Sequence, residues 1–218
     1  MRFRGIVFDF NGTLFWDTPL HNKAWDAFLE KHGISLTDQE KNEKIHGKYN
    51  QDIFHALFSF EPSEEQMQHF IAEKEGIYQS LCLKSGLTMA PGAIEFFEFL
   101  SDQNIPYTIA TASGIENVDF YFEYLDLSTY FDRRLVIYND GTFPGKPNPS
   151  IFLKAMEELN LSPKETIVFE DSAAGITSAE QAGSGKIIIV DSNGDDYSTW
   201  SYQVISDFSE VNRDLFRI

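Results

Sequence analysis

What this chain lacks narrows it first. It holds a single cysteine, Cys82, so no disulfide can form within it, and a reducing, cytoplasmic setting is expected. Nothing marks that thiol as a nucleophile, and an inert buried side chain is its expected status. No run of ~18 apolar residues occurs and no charged-then-apolar leader opens the chain, so neither a membrane span nor a signal peptide is expected. Cations are scarce: 17 Lys and Arg stand against 34 Asp and Glu, a formal net charge of -17. That balance argues against nucleic acid and anionic membranes as partners. Phosphate stays open, provided that local lysines and helix N-termini supply the field.

What is present is a chain of 218 residues, 42% hydrophobic and with 20 Phe, enough for a large core and an insertion. The organising stretch is Gly5-Ile6-Val7-Phe8-Asp9-Phe10-Asn11-Gly12-Thr13-Leu14. Its short apolar run suits a strand buried on both faces, and it ends abruptly on the carboxylate of Asp9. Thr18-Pro19 reads as an N-cap with proline at the first helical position, and Gly33 is placed to end that helix. Helical patterns follow over roughly 37–45, 50–58 and 63–81, the last opened by a Ser63/Gln66 capping box. No strand signal interrupts residues 17–85, which predicts a helical insertion. Strands are predicted at 107–112, 135–138, 166–169, 186–190 and 203–206. The intervening helices open at Pro91-Gly92, near Ile115, at Asn148-Pro149 (N-cap and N1) and after Asp171. Such alternation predicts an α/β fold with a parallel sheet wound on both faces.

Chemistry gathers just past the strands, where ligands sit in such sheets. The first strand delivers Asp9 and Asn11, the second Ser113 and Gly114, the loop after the third Lys146, and the fourth Glu170 and Asp171. Converging carboxylates repel one another unless a hard cation sits between them, and oxygen ligands in that number suit Mg²⁺. A lysine, a serine and backbone N–H groups suit a phosphate. Each piece has a bland alternative taken singly: a capping serine, a solvated lysine, an acidic loop.

As a set, these motifs resemble the haloacid dehalogenase superfamily, in its beta-phosphoglucomutase-like group with a helical cap, over Arg4 to about Asp207. The resemblance implies a Rossmann-like core at 1–15 and 87–218 and an inserted all-helical cap domain at 16–86, hinged near 15–17 and 84–91. It implies a Mg²⁺-dependent phosphatase whose nucleophile Asp9 forms an aspartyl-phosphate. Ser113 and Lys146 would hold the phosphoryl group, with Gly12 and Gly114 beside it. Thr111 rivals Ser113 but lies two residues inside the expected strand end. The implied metal ligands are Asp9, the backbone carbonyl of Asn11, Asp171 and Glu170. The partner is a small phosphorylated metabolite, and the chain is expected to be a monomer or weak homodimer.

One departure bears on all of this. The family's phosphatases and mutases carry a general acid/base Asp where this chain has Asn11, and an amide can neither give nor take that proton. Such help is typically worth ~10² to 10⁴ in rate. Three readings stay open: a slowed enzyme or one using good leaving groups, an engineered substitution, or a branch with different chemistry. Asn11-Gly12 is also a deamidation-prone pair that could restore an aspartate. In the cap, His21, His46, Gly47 and Asn50 are the candidate substrate contacts. His46 and Asn50 stand where the sugar-phosphate mutases carry cations, which disfavours a phosphoglucomutase-like transferase. A catalytically impaired relative that binds phosphometabolites or a protein is the remaining alternative.

Overall fold

All four residues of β1, Gly5–Phe8, are buried, as a short apolar strand at the centre of a parallel sheet requires. The computed structural model describes residues 2–45 and 48–216. Around β1 stand β2 (Tyr107–Gly114), β3 (Ile137–Asn139), β4 (Thr166–Glu170), β5 (Lys186–Val190) and β6 (Gln203–Ile205). They form one parallel sheet in the order β3-β2-β1-β4-β5-β6. The alternation of side chains splits the core in two. Ile6, Phe8, Ile109, Ile167, Phe169 and Ile188 face one side, where α5 (Ala93–Asp102) and α6 (Ile115–Tyr124) pack. Val7, Ala110, Val168 and Ile187 face the other, against α7 (Ser150–Glu158) and α8 (Ala173–Gln181).

Between β1 and β2 the chain forms α1 (Thr18–Lys31), α2 (Asp38–Lys44), α3 (Asn50–Leu57) and α4 (Glu64–Ser85). These helices share their own apolar cluster, which includes Trp25, Phe28, Ile53, Phe54 and Phe70. Where the chain leaves and returns, Phe15 pairs with Met89 and the Ala90 N–H donates to the Leu14 carbonyl at 2.8 Å. The two connections therefore run side by side at one neck.

Local chemistry explains most element ends. The Ser63/Gln66 capping box opens α4, and a second box, Thr37/Glu40, opens α2. Gly33, at φ +66°, follows the end of α1. Several boundaries differ from the sequence reading, among them the end of α4, which runs to Ser85 rather than 81. Asp17, not Thr18, precedes the first helical residue of α1. Asn148 lies one residue too early to cap α7, and its carboxamide instead accepts from the Ser150 N–H in a local turn. β3 begins at Ile137 rather than 135 because Asp132 accepts from the Arg134 N–H and caps a short 3-10 turn over Arg133–Leu135. β2 continues to Gly114, so Thr111 and Ser113 both lie within it.

Candidate active site

The register of β1 and β4 builds the site. Phe8 pairs with Phe169, so Asp9 and Glu170 leave adjacent strands side by side, and the Asp9 N–H donates to the Phe169 carbonyl at 2.9 Å. Lys146, from the loop between β3 and α7, places Nζ between them, 2.5 Å from Asp9 Oδ1 and 2.5 Å from Glu170 Oε1. All three side chains are buried. Asp171 joins them, accepting from Thr13 Oγ1 at 3.1 Å. One carboxylate oxygen from each of Asp9, Glu170 and Asp171 falls within 4.8 Å of the others.

Three carboxylates around one ammonium leave an excess of negative charge, and the titration of the group reflects it. Burial pushes Asp9 up to about 7 despite Lys146, and burial with repulsion from Glu170 and Asp9 holds Asp171 well above the carboxylate range. Burial alone would lower Lys146, but Asp9 and Glu170 outweigh it and keep the ammonium above its usual range. A hard divalent cation fits such a donor set. Within it the roles are unequal. Glu170 spends Oε1 on Lys146 and Oε2 on the Ser172 N–H and hydroxyl, which leaves Asp9 and Asp171 as the carboxylates on the cleft. Two glycines make room for them. A Cβ on Gly12 (φ +79°) would fall 2.1 Å from Asp171 Oδ2, and one on Gly175 would fall 1.6 Å from Glu170 Oε1.

Asn11 is saturated. Its Oδ1 accepts from Ser113 Oγ at 2.8 Å and Thr111 Oγ1 at 3.2 Å. Its Nδ2 donates to Asp17 Oδ2 at 2.6 Å and to the Tyr121 hydroxyl at 2.7 Å. Tyr121 and Tyr78 hydroxyls meet at 3.0 Å, and the Tyr78 hydroxyl donates to Asp17, which closes a ring of hydrogen bonds. Asp17 is fully buried, and its other oxygen accepts from the Gly12 N–H at 3.0 Å. This last bond occupies the nitrogen that would attack the Asn11 side chain, so the geometry opposes deamidation. It also removes Gly12 from the expected phosphate donors, since that N–H is spent on Asp17 and on the Phe15 carbonyl. Gly114, at the start of α6, lies outside the residues lining the cleft, whereas Thr111, Ala112 and Ser113 line it.

The cleft, about 920 Å³, opens between the sheet edge and α1–α4. His21 and Asn50 line it. His46 and Gly47 lie outside the described residues. His21 stacks on Tyr78 with ring centroids 3.8 Å apart, and Lys74 Nζ reaches His21 Nδ1 at 3.0 Å. Lys74 and Glu75 form a buried pair, and Asn50 and Asn117 each donate to Glu75 at 2.7 Å. The sequence reading named His21 and Asn50 but missed Lys74, Glu75 and Asn117, together with Asp17, Tyr78, Tyr121 and the cleft-lining loop between β5 and β6. Trp25 read as helical core; it belongs to that core and also borders the cleft.

Comparison with known proteins agrees with this geometry. The model of the haloacid dehalogenase-like hydrolases matches residues 3–183. A phosphorylated carbohydrates phosphatase from Thermotoga maritima is 28% identical over 84% of this chain and 82% of its own length. Hexitol phosphatase A from Escherichia coli is 29% identical over 84% and 81%. Among solved structures, a hydrolase of this family (family IA, variant 3) from Entamoeba histolytica is 35% identical, covers 99% of this chain and 97% of its own, and superposes with a TM-score of 0.86. With a six-stranded parallel sheet, a carboxylate–lysine cluster at its carboxyl edge and phosphatases among its relatives, the chain belongs to the haloacid dehalogenase-like hydrolase family, as a phosphatase.

Proposed function

We propose that this chain is a Mg²⁺-dependent phosphohydrolase of small phosphorylated metabolites, working through an aspartyl-phosphate on Asp9 and slowed by Asn11. The contact of Lys146 with both Asp9 and Glu170 at one strand edge is the observation that carries this reading. In it, residues 1–15 and 87–218 form the catalytic core and residues 16–86 the cap that excludes water. The pairing of Phe15 with Met89 at a single neck supports that division.

An Asp9 oxygen forms the bond to phosphorus while the ester P–O bond breaks, and water then cleaves the acyl phosphate to return the carboxylate and free phosphate. Lys146 holds the phosphoryl oxygens, and the hydroxyls of Ser113 and Thr111 join it by turning their single protons from Asn11 Oδ1 to the phosphate. Asp9, Asp171 and the Asn11 backbone carbonyl would hold the metal, with Glu170 bracing Lys146. Bound there, Mg²⁺ supplies charge neutralisation between carboxylates and phosphate. The departing alkoxide takes its proton from solvent, because the carboxamide of Asn11 cannot act as a general acid. Acyl and aryl phosphates, whose leaving groups need no such proton, are therefore favoured over alkyl esters. A phosphoglucomutase-like transfer fits less well, since Asn50 is engaged with Glu75 rather than available to clamp a second phosphate.

The test is turnover of acetyl phosphate, p-nitrophenyl phosphate and a hexitol phosphate with Mg²⁺. Acetyl phosphate should turn over fastest, Asp9→Asn should abolish every reaction, and Asn11→Asp should raise alkyl-ester turnover by roughly 10²- to 10⁴-fold. Absence of turnover in both the parent and Asn11→Asp, with phosphate analogues still binding, would replace the enzyme by a phosphometabolite-binding relative.

A further inference from the structure

We infer that the segment between β5 and β6 is the leaving-group wall of the cleft, shaped for one neutral, polyhydroxylated body, and that it turns away substrates carrying a second anionic group. The inference rests on the phosphohydrolase reading above and adds its substrate class.

The two walls of the cleft differ in charge. On the helical side Lys41, Lys48 and Lys74 line the cleft, and two of them pair with carboxylates: Lys41 Nζ sits 2.5 Å from Asp26 Oδ1, and Lys74 Nζ sits 3.1 and 3.2 Å from the two Glu75 oxygens. Facing them across the cleft are Asn193, Asp195, Asp196, Tyr197 and Trp200. Asp195 and Asp196 are exposed. No cation pairs with either in a salt bridge among the described residues. A second phosphate or a carboxylate in the leaving group would meet these two charges, while the site's buried lysine is committed to the reacting phosphate.

The same segment carries features that recognise a sugar or polyol. Gly194, at φ +73°, donates its N–H to Asp191 Oδ1 at 2.7 Å, which turns the chain back toward the cleft. The Trp200 N–H then donates to the Tyr197 carbonyl at 3.0 Å, bringing the two rings to 6.4 Å at 50°. Aromatic faces of this kind cover the C–H faces of a carbohydrate, and ionised carboxylates accept its hydroxyl protons. The Tyr197 hydroxyl is buried without a hydrogen-bond partner. Trp25 supplies a third aromatic surface from α1. A few polar groups on an aromatic-lined cleft are the expected make-up of a small-molecule site.

The experiment compares kcat/KM for sorbitol 6-phosphate, fructose 1,6-bisphosphate and phosphoglycolate, with acetyl phosphate as the substrate that lacks a body to be read. The hexitol phosphate should lead the two doubly anionic compounds by about 30-fold or more. In the Asp195→Lys/Asp196→Lys double variant that lead should shrink by about 10-fold, and Trp200→Ala should raise KM for sorbitol 6-phosphate by about 10-fold, more than for acetyl phosphate. Isothermal titration of the same three compounds into the Asp9→Asn chain, loaded with Mg²⁺, should give the same ranking of affinities without turnover. Equal or better use and binding of the bisphosphate, or a ranking unmoved by the double variant, overturns the inference while leaving the phosphatase intact. Loss of acetyl phosphate turnover in the parent would strike the phosphatase reading instead, and the titration would still decide between the two walls.

Discussion

An amide at position 11 donates where a carboxylate can only accept, and the surroundings of Asn11 use that difference fully. Two hydroxyls, Ser113 and Thr111, point at its oxygen, while the carboxylate of Asp17 and the hydroxyl of Tyr121 point at its nitrogen. Replacing Asn11 by Asp would set two carboxylates at the 2.6 Å now spanned by a hydrogen bond. One of the pair must then keep its proton, so its folded pKa rises above the unfolded value. A carboxyl raised in this way carries no penalty below the unfolded pKa and a growing one as pH rises through the folded pKa. Asn11→Asp should therefore unfold at lower urea than the parent at pH 8, by about 1–3 kcal/mol, and closer to parity at pH 5. Equal destabilisation at both values would mean that Asp17 is not the partner that matters. The same shared proton is what gains activity for alkyl esters, so this one substitution trades stability for rate.

At the scale of elements, two glycines in helices invite opposite outcomes. Gly76 lies exposed in the middle of α4, and nothing stands within 4 Å of where a Cβ would go. Gly76→Ala should stabilise the chain by about 0.5–1 kcal/mol through helix propensity and a less flexible unfolded chain. Gly175 lies in the first turn of α8, and its Cβ would overlap Glu170. Gly175→Ala should cost about 2 kcal/mol or more and weaken the Lys146 ion pair, since Glu170 has no free direction to move. Thermal melts of both variants check the contrast. Elements of this kind were readable because their signals are local: the apolar run of β1, the Ser63/Gln66 box and the glycine after α1 each lie within a few residues. The site was most readable where chemistry follows a strand end, at Asp9, Lys146, Glu170 and Asp171. Asp17, Tyr78 and Tyr121 come from the neck, α4 and α6, and only folding brings their hydroxyls and carboxylate onto Asn11. Lys74 and Glu75 look like any solvated pair in a polar helix, and the segment at 193–200 looks like a turn. The tertiary placement that gathers such residues around one cleft has no local signature.

For the molecule as a whole, the decisive quantity is the excess charge at the carboxyl edge of the sheet. Asp9 and Asp171 are raised above the unfolded carboxylate value, chiefly by burial. Both therefore favour the folded state below that value, near 4, and oppose it as pH climbs through the folded pKa, about 7 for Asp9. The carboxylates lowered by partners, such as Glu75 beside Lys74, lose their contribution only on the acid side and do not act in this window. Without metal, the melting temperature should thus fall between pH 5.5 and pH 8. Added Mg²⁺ must displace the protons that Asp9 and Asp171 keep, so its binding strengthens as pH rises. At 10 mM, a concentration of order 10 to 100 times a modest Kd, it should raise the melting temperature by roughly 4 °C or more at pH 8, and by less than half of that at pH 5.5. Asp171→Asn should lose the metal-dependent rise at pH 8 and flatten the decline of the metal-free chain, because it removes one raised carboxyl and one ligand together. A Mg²⁺ effect that is independent of pH, or that survives Asp171→Asn, would place the cation elsewhere on this strongly acidic surface.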